Sequence, residues 1–322
     1  MALSDMKVYE TEIERNTIEL LGQKLDGFNA ASNNAMQLST NAWRGNYSKE
    51  SFFASIAAAQ RRVDRYAANG AQASTTLSQS EIIGVKVAGG FGPVIFEPAQ
   101  MTWMMEDPGA AINAIAEGFA NALLADQLNT ALSAAVAAVQ NIPALVNDVS
   151  ATLGLSQIAI NDSHRKFGDM SMALVTDFMT GDTYHNLVGQ NIANSNQLFV
   201  AGNVRVVDIL GKTVVVTDSP ALYQAGTPNK ELVLSVVTGG IIVDNSSDLV
   251  TNLDTTNGKN RIETTWQADY SFGIKLKGFA WDVTNGGKSP TDAELATGSN
   301  WDKAVTDNKH TLGTLAVGDA AK

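Results

Sequence analysis

One segment in the middle of the chain restricts the possible fold more than any other. From Asp107 to about Gln140 the sequence is rich in alanine, and Asn141-Ile142-Pro143 follows it. Aspartate at the N-cap with proline at the first helical position is typical of a helix start, and a proline ends a helix. The pattern predicts one helix of roughly 33 residues, about 50 Å long.

The large apolar side chains of this segment indicate how the helix packs. They follow the three-four step of a helix at Ile112, Ile115, Phe119, Leu123, Leu124, Leu128, Leu132, Val136 and Val139. Alanine at many of the remaining positions lets other elements approach closely on several sides. A coiled coil would need branched residues at strict heptad positions. We therefore predict a single long helix laid across a β-sheet.

The composition excludes several classes of function. With 22 Lys+Arg against 33 Asp+Glu and a net charge of -11, the chain is unlike proteins that hold nucleic acid by neutralising phosphates. It has no cysteine and only three histidines, which leaves no thiolate chemistry and little material for metal binding. Only 17% of the residues are charged, a low share for the surface of a free monomer. We expect no catalytic residue, no cofactor and no metal site.

The sequence also bears on membranes and on export. No uninterrupted apolar run approaches the roughly 18 residues of a membrane span. The first sixteen residues are charged where a secretory signal needs an apolar core. We therefore expect a protein that is made in the cytoplasm and has no membrane partner.

Two helices are predicted in the N-terminal part. Residues 4–28 favour an amphipathic helix, which either docks on its own chain or forms an arm on a neighbouring subunit. Residues 48–68 predict a second helix with Arg61, Arg62 and Arg65 on its last turns. Because Asp64 interrupts these arginines and a helix C-terminus favours cations, a solvated or ion-paired face is a better account than a nucleic-acid patch.

A glycine-rich stretch follows. Residues 81–88 and 94–98 predict the two strands of a hairpin, with Gly89, Gly90 and Gly92 at its tip. No Lys-Ser or Lys-Thr pair and no helix follow these glycines, so they do not form a phosphate-binding loop. Since an isolated hairpin is marginally stable, we expect this one, including Phe91, to lie on another surface.

The chain from 144 to 256 has a mixed α/β pattern. Its Val/Ile runs fit strands that are buried on both faces, so this part is expected to have its own small core. Helices are predicted over 145–155, 157–167 and 177–188, and strands over 172–176, 205–208, 212–217, 231–237 and 241–244.

The C-terminal part contains one strongly alternating segment and a polar end. Apolar or β-favouring residues share one parity from Ile262 to Leu276, and a second run begins at Phe279, which together predict a long antiparallel hairpin over 261–284. After Gly287 the sequence is polar, with Trp301 as its one large anchor. We expect a tail that orders only on a partner or at a domain edge.

No group of residues has the pattern of a catalytic site. Asp162-Ser163-His164 places three catalytic residue types side by side, whereas a triad brings them together from separate segments, so capping or surface polarity is expected. Asp182 and His185 share one face of a predicted helix but lack a second ligand pair. Glu117 and Asp126 lie more than two turns apart, too far for a glycosidase pair and more typical of a solvated or interface stripe.

The order of these parts resembles a known family. The Asp107-Pro108 start of the long helix, the strand pair in 204–220 and the alternating run 263–273 together resemble the Hong Kong 97-type (Johnson) fold of tailed-bacteriophage major capsid proteins. The resemblance implies an α+β fold. It also implies an N-terminal arm (1–50), an extended loop (51–104), a peripheral domain with a spine helix (105–143 and 257–285), an axial domain (144–256) and a C-terminal tail (286–322).

The resemblance implies a function as well. Members of this family assemble as pentamers and hexamers into an icosahedral head that encloses double-stranded DNA. The implied partners are further copies of the chain, a separate scaffolding protein, a portal and a decoration protein, and the implied location is the virion, after assembly in the bacterial cytoplasm. Because a motor packages the genome, the wall need not neutralise its phosphates, which agrees with the acidic composition.

Three alternatives remain open on the sequence. A flagellin or surface-layer subunit has a similar composition, although residues 286–322 lack the apolar periodicity of a flagellin terminus. An encapsulin shell shares the capsid fold. A hydrolase that uses Asp182 or His185 is the enzyme alternative.

Overall fold

The computed structural model describes residues 3–39, 43–53, 60–72, 74, 76, 79–97, 108–194, 208–209, 212–246, 248–257, 260 and 263–322. The helices are α1 (Leu3–Ala31), α2 (Pro108–Gln140), α3 (Gln157–Arg165), α4 (Gly181–Asn194) and α5 (Asp292–Leu295). The strands are β1 (Met36–Ser39), β2 (Tyr47–Phe53), β3 (Gln79–Phe96), β4 (Val146–Asp148), β5 (Leu174–Met179), β6 (Asp208–Ile209), β7 (Lys212–Val216), β8 (Tyr223–Gln224), β9 (Lys230–Val237), β10 (Ile241–Asn245), β11 (Val250–Thr256), β12 (Glu263–Leu276), β13 (Phe279–Trp281), β14 (Trp301–Lys303) and β15 (Gly313–Asp319).

A six-stranded sheet is built around β12. Its order is β1-β10-β12-β3-β2, and β11 also pairs with β12. The first half of β12 pairs with β11 and the second half with β10, while β3 lies along its other side. The predicted alternation of β12 is confirmed, because the described residues of that parity are all buried: Thr264, Trp266, Ala268, Tyr270, Phe272, Ile274 and Leu276.

A seven-stranded sheet is built around β9 and β15. Its order is β4-β15-β9-β5-β7-β6, with β8 paired to β9. Every residue of β15 and all but the first residue of β9 are buried. Burial on both faces explains the apolar run of β9 and confirms the expectation there. The valines of β7 are only partly buried, and Val216 is 48% exposed, so the expectation was wrong for that strand.

The long helix α2 contacts both sheets. It covers 33 residues and packs on β10 and β12 of one sheet and on β15 of the other. The side chains of Leu132, Val136 and Val139 are buried in a core cluster that includes residues of both sheets. The prediction of a long helix laid across a sheet is confirmed. Its predicted N-cap, Asp107, lies outside the described residues.

Helix α1 runs parallel to α2 on its own chain. The Asn16 side-chain amide donates to Asn113 Oδ1 at 3.0 Å, and two turns later Lys24 Nζ donates to Asn121 Oδ1. Leu21 belongs to the main core cluster. Of the two alternatives for this helix, the structure supports docking on the same chain.

The segment predicted as a second helix begins as a strand. Residues 47–53 form β2, which pairs with β3 from Tyr47 opposite Val85 to Phe53 opposite Gln79. Residues 54–59 lie outside the described part, and residues 60–72 have no regular secondary structure. The helix prediction was wrong because pairing with a distant strand outweighs a weak local helix preference.

The glycine-rich stretch is the middle of one long strand rather than the tip of a hairpin. A Cβ at Gly89 would lie 2.7 Å from the Tyr270 ring, and one at Gly90 would lie 2.9 Å from the Asp269 carboxylate. Because glycine has no side chain, Gly89 and Gly90 allow the backbone of β3 to approach the side chains of β12 closely. The antiparallel neighbour that precedes β3 in the chain is β2.

Further corrections concern the C-terminal half. Residues 146–148 form β4 instead of part of a helix over 145–155, and the helix predicted over 177–188 begins at Gly181, after β5. The strand prediction over 205–208 lies mostly outside the described residues. β12 and β13 do not form the expected hairpin, because β13 pairs with β14 in a separate sheet.

The polar C-terminal segment is an integral part of the fold. β15 lies between β4 and β9 in the seven-stranded sheet, and Trp301 is fully buried. The tail prediction was wrong because it rested on the low average hydrophobicity of the segment, whereas Trp301 and the residues of β15 are almost completely buried. β15 thus joins the sheet of 144–237, whereas β10 and β11 belong to the six-stranded sheet.

Candidate assembly surfaces and buried polar clusters

A buried cluster joins His164 to two strands of the seven-stranded sheet. His164 Nε2 lies 2.8 Å from Ser235 Oγ and 3.3 Å from Asp177 Oδ1. All three residues are buried, and Asp177 Oδ2 has no hydrogen-bond partner among the described atoms. The expectation of surface polarity for Ser163 and His164 was wrong, because α3 turns both side chains into the core.

This cluster does not have the geometry of a catalytic triad. In a triad, one imidazole nitrogen faces the nucleophile and the other faces the carboxylate. Here the same nitrogen of His164 faces both Ser235 and Asp177. Since all three side chains are also closed off from solvent, the cluster is a structural link between α3, β5 and β9.

A second polar cluster lies at the N-terminal end of α4. Glu231 on β9 is buried, and Thr183 Oγ1 donates a hydrogen bond to its Oε2 at 2.8 Å. Burial raises the pKa of Glu231, the Thr183 hydrogen bond opposes that shift, and the adjacent Asp182 carboxyl adds to it. Asp182 and His185 themselves are exposed. Within the described ranges, no group of three His, Asp or Glu side chains is arranged to hold a metal.

The carboxylates of α2 do not form a pair. Glu117 is exposed, whereas Asp126 Oδ2 accepts a hydrogen bond from the Tyr270 hydroxyl at 2.6 Å. Burial raises the pKa of Asp126 and also that of Tyr270. Asp126 therefore links α2 to β12.

Phe91 lies in the aromatic contact between α2 and the six-stranded sheet. Its ring centroid is 5.4 Å from that of Tyr270 and 5.2 Å from that of Phe119. The prediction of a hairpin with strands over 81–88 and 94–98 was wrong, because Phe91 lies within the single strand β3, which pairs with β12.

The most exposed described segment is the loop 60–72, which we call the arginine loop. All of its residues are exposed, including Arg61, Arg62 and Arg65. Tyr66 is 99% exposed and Val63 is 63% exposed. The solvated character of these arginines is as expected, although they lie on an irregular loop rather than on a helix. A fully exposed tyrosine beside three arginines is typical of a protein–protein interface.

The apolar character of α2 is accounted for within the protein. Among the described helices, Gly109–Gln140 is long and apolar enough to cross a membrane by length and composition. Its most apolar window is 61% buried inside the protein. This is the pattern of a core helix, and the contacts of α2 with both sheets explain it.

Comparison with known proteins identifies the family. The family model for Major capsid protein 13-like proteins matches residues 5–315, which is nearly the whole chain. The chain belongs to this family. A search of curated protein sequences gives no significant match.

Solved structures with the same fold come from bacteriophages. The Cyanophage Pam1 capsid asymmetric unit is 13% identical, with a TM-score of 0.53 and coverage of 89% of this chain and 88% of that one. A structure from Mycobacterium phage Cain is 12% identical, with a TM-score of 0.51 and coverage of 90% and 89%. One from Microbacterium phage Oxtober96 is 13% identical, with a TM-score of 0.50 and coverage of 90% of each chain.

These findings confirm the fold and the class of function inferred from the sequence. The chain is a major capsid protein, and it shares its α+β fold of the Hong Kong 97 type with these phage structures. The encapsulin, flagellin and surface-layer alternatives are not supported.

Proposed function

We propose that copies of this chain assemble as pentamers and hexamers into a closed icosahedral head that encloses double-stranded DNA. The observation that carries the proposal is the family match over residues 5–315, which includes both sheets and the long helix. The low share of charged residues supports it, since a subunit that buries surface on its neighbours has less surface to solvate.

The sheets suggest how the subunit is divided in such a shell. We assign the seven-stranded sheet, including β15, to the axial domain, and we assign α2 with β10, β11 and β12 of the six-stranded sheet to the peripheral domain. β2, β3 and the arginine loop correspond to the extended loop, and α1 corresponds to the N-terminal arm. This proposal moves β10 and β11 to the peripheral domain and replaces the C-terminal tail by a strand of the axial domain.

The net charge of the chain bears on how it interacts with the packaged DNA. A net charge of -11 supports a wall that contains DNA without binding it specifically. The proposal includes a separate scaffolding protein, a portal and a decoration protein as partners, assembly in the bacterial cytoplasm, and the virion as the final location. It includes no catalytic role, because the buried His164 cluster lacks triad geometry and access to solvent.

Electron microscopy of the purified or co-expressed protein tests this proposal. Closed icosahedral particles are the expected result. The matched control is His185→Ala, which changes an exposed residue and is expected to leave the particles unchanged. Persistent monomers with a hydrolytic activity that His185→Ala abolishes would favour the enzyme alternative instead.

A further inference from the structure

The sequence contains three Asn-Gly dipeptides, and two of them lie in contrasting surroundings. They are Asn69-Gly70 in the arginine loop, Asn257-Gly258, and Asn285-Gly286 after β13. Gly258 lies outside the described residues, so the comparison is between the first dipeptide and the third. Because glycine has no side chain, its backbone nitrogen can approach the side chain of a preceding asparagine. An asparagine followed by glycine therefore loses its amide more readily than one followed by a larger residue.

The dipeptide Asn69-Gly70 is exposed and has no regular secondary structure. Within the part of the chain that the structure describes, no hydrogen bond joins the Gly70 N–H or the Asn69 side chain to another group. Apart from the residues next to it in the chain, no described atom lies within 4 Å of a Cβ added at Gly70. No described contact therefore keeps the Gly70 nitrogen away from the Asn69 side chain.

The dipeptide Asn285-Gly286, by contrast, is held by Asp282. The Asn285 side-chain amide donates to Asp282 Oδ2 at 2.5 Å, and the Asn285 backbone N–H donates to Asp282 Oδ1 at 3.1 Å. The Gly286 N–H donates to the Asp282 carbonyl oxygen at 2.8 Å. Gly286 is also buried against the Trp281 indole. The nitrogen that would have to react is thus already hydrogen-bonded, and the same aspartate fixes the side chain that it would attack.

We propose that Asn69 is a site of spontaneous deamidation, which lowers the positive charge of the arginine loop as the protein ages. The Gly70 backbone nitrogen gives its proton to hydroxide and attacks the carbonyl carbon of the Asn69 side chain. A C–N bond forms and closes a succinimide ring, while the side-chain amide nitrogen takes a proton from water and leaves as ammonia, which regenerates the hydroxide. Water then opens the ring at either carbonyl, so the products are aspartate and isoaspartate.

The reaction changes the charge of the loop. Residues 60–72 contain three arginines and one aspartate, so a second carboxylate halves the net positive charge of this segment. The isoaspartate product also places one additional methylene in the backbone. Since the reaction needs only this chain and water, the inference goes beyond the proposed shell function and does not depend on it. Copies of different age would then differ in charge at one defined position.

Peptide mass spectrometry of the folded protein tests the proposal. Trypsin cleaves after lysine and arginine, so Asn69 and Asn285 lie on separate peptides, 66–86 and 278–288. The protein is incubated at mildly alkaline pH and digested after increasing times, and a sample digested at the start corrects for reaction during digestion. Peptide 66–86 should gain the mass of the amide-to-acid change, about 1 Da, at least about tenfold faster than peptide 278–288. The reason is that Asn285 reacts only after local opening has broken its hydrogen bonds.

The same protein unfolded in urea provides the reference rates. Without the folded structure, the two dipeptides should react at similar rates, and peptide 66–86 should react about as fast as it does in the folded protein. Equal rates for the two peptides in the folded protein would overturn the proposal. So would a rate for peptide 66–86 that is about tenfold or more lower in the folded protein than in urea, because the fold would then protect Asn69.

Two substitutions separate the mechanism from other sources of the mass change. Gly70→Ala should slow the reaction of Asn69 by about tenfold or more and leave the circular dichroism spectrum unchanged, since Gly70 does not have a positive φ and an added Cβ meets no described atom beyond its chain neighbours. Asp282→Ala removes two of the acceptors that hold Asn285 and should speed its reaction. In wild type, the reacted peptide 66–86 should separate into two chromatographic species of equal mass, aspartyl and isoaspartyl. An unchanged rate in Gly70→Ala, or a single product, would contradict the succinimide route.

Discussion

Trp281 and Trp301 pack edge to face, with ring centroids 4.9 Å apart and an interplanar angle of 68°. Each indole N–H donates to a backbone carbonyl, that of Gly287 at 3.1 Å and that of Leu295 at 3.0 Å, respectively. The two residues also face each other across the β13–β14 pair. This contact anchors the polar C-terminal segment to the body of the same subunit.

Removal of the Trp301 ring should destabilise the subunit strongly. Trp301 is fully buried, so Trp301→Ala should lower the free energy of unfolding by about 3–5 kcal/mol. Chemical denaturation of the unassembled subunit, followed by circular dichroism, measures this change. Val250→Ala is the control, because Val250 is 64% exposed and its truncation should change stability by less than about 0.5 kcal/mol. Equal stability of Trp301→Ala and wild type would mean that the segment is a loosely attached tail.

The sequence predicts well those elements whose signal is local and periodic. The three-four spacing of α2 and the alternation from Thr264 to Leu276 are each read from one continuous segment, and both are confirmed. The pairing of strands is not local. β2 is stabilised by β3, and β15 is inserted between two strands that lie far from it in sequence. Average polarity and weak helix preference therefore gave the wrong prediction for these strands.

The polar clusters were beyond sequence reasoning for the same reason. His164, Asp177 and Ser235 come from three separate elements, and only the seven-stranded sheet brings them together. The arginines of the arginine loop were recognised as a solvated group.

Trp43 lies against two glycines of adjacent strands. A methyl group added at either glycine should therefore destabilise the fold strongly. A Cβ at Gly273 would overlap the Trp43 indole, and one at Gly84 would lie 2.8 Å from the same ring. Gly273→Ala must displace the indole, so we expect a loss of about 1–3 kcal/mol or more in the free energy of unfolding. Urea denaturation followed by tryptophan fluorescence measures it.

The control for this substitution is Gly189→Ala. Among the described residues, no atom other than the neighbouring backbone of the helix itself lies within 4 Å of a Cβ added at Gly189, which is in the middle of α4. Alanine favours a helix over glycine, so this variant should be more stable by about 0.5–1 kcal/mol. If Gly273→Ala leaves the free energy of unfolding unchanged, Trp43 does not occupy this position.

Glu231 should make the stability of the subunit depend on pH. Burial raises its pKa in the folded state, so the folded state binds the proton more tightly than the unfolded state does. The resulting stabilisation is fully present below the ordinary glutamate pKa and is lost as the pH rises through the raised value. Glu231→Gln should therefore reduce the loss of stability that occurs as the pH rises above the ordinary glutamate pKa, as measured by denaturation at each pH.

Glu294 provides a comparison with the opposite sign. Its Oε2 accepts a hydrogen bond from the Thr291 backbone N–H at 2.7 Å, and this hydrogen bond lowers the pKa of Glu294. The stabilisation from Glu294 is present above the ordinary glutamate pKa and is lost as the pH falls through the lowered value. Glu294→Gln should lower the free energy of unfolding near neutral pH. If Glu231→Gln and Glu294→Gln change the pH dependence of stability in the same direction, the opposite pKa shifts assigned to the two residues are wrong.

Two neighbouring hydroxyl groups should respond in opposite ways to removal. Ser235 and Thr314 lie opposite each other in the β9–β15 pair. Ser235 Oγ is hydrogen-bonded to His164, whereas Thr314 Oγ1 is buried without a partner among the described atoms. Ser235→Ala leaves His164 Nε2 with only the longer contact to Asp177 Oδ1. It should lower the free energy of unfolding by about 1–3 kcal/mol. Thr314→Val keeps the shape, removes an unsatisfied polar atom and should be neutral or stabilising. Thermal unfolding of both variants beside wild type measures the difference, and a larger loss for Thr314→Val would mean that its hydroxyl has a partner in solution.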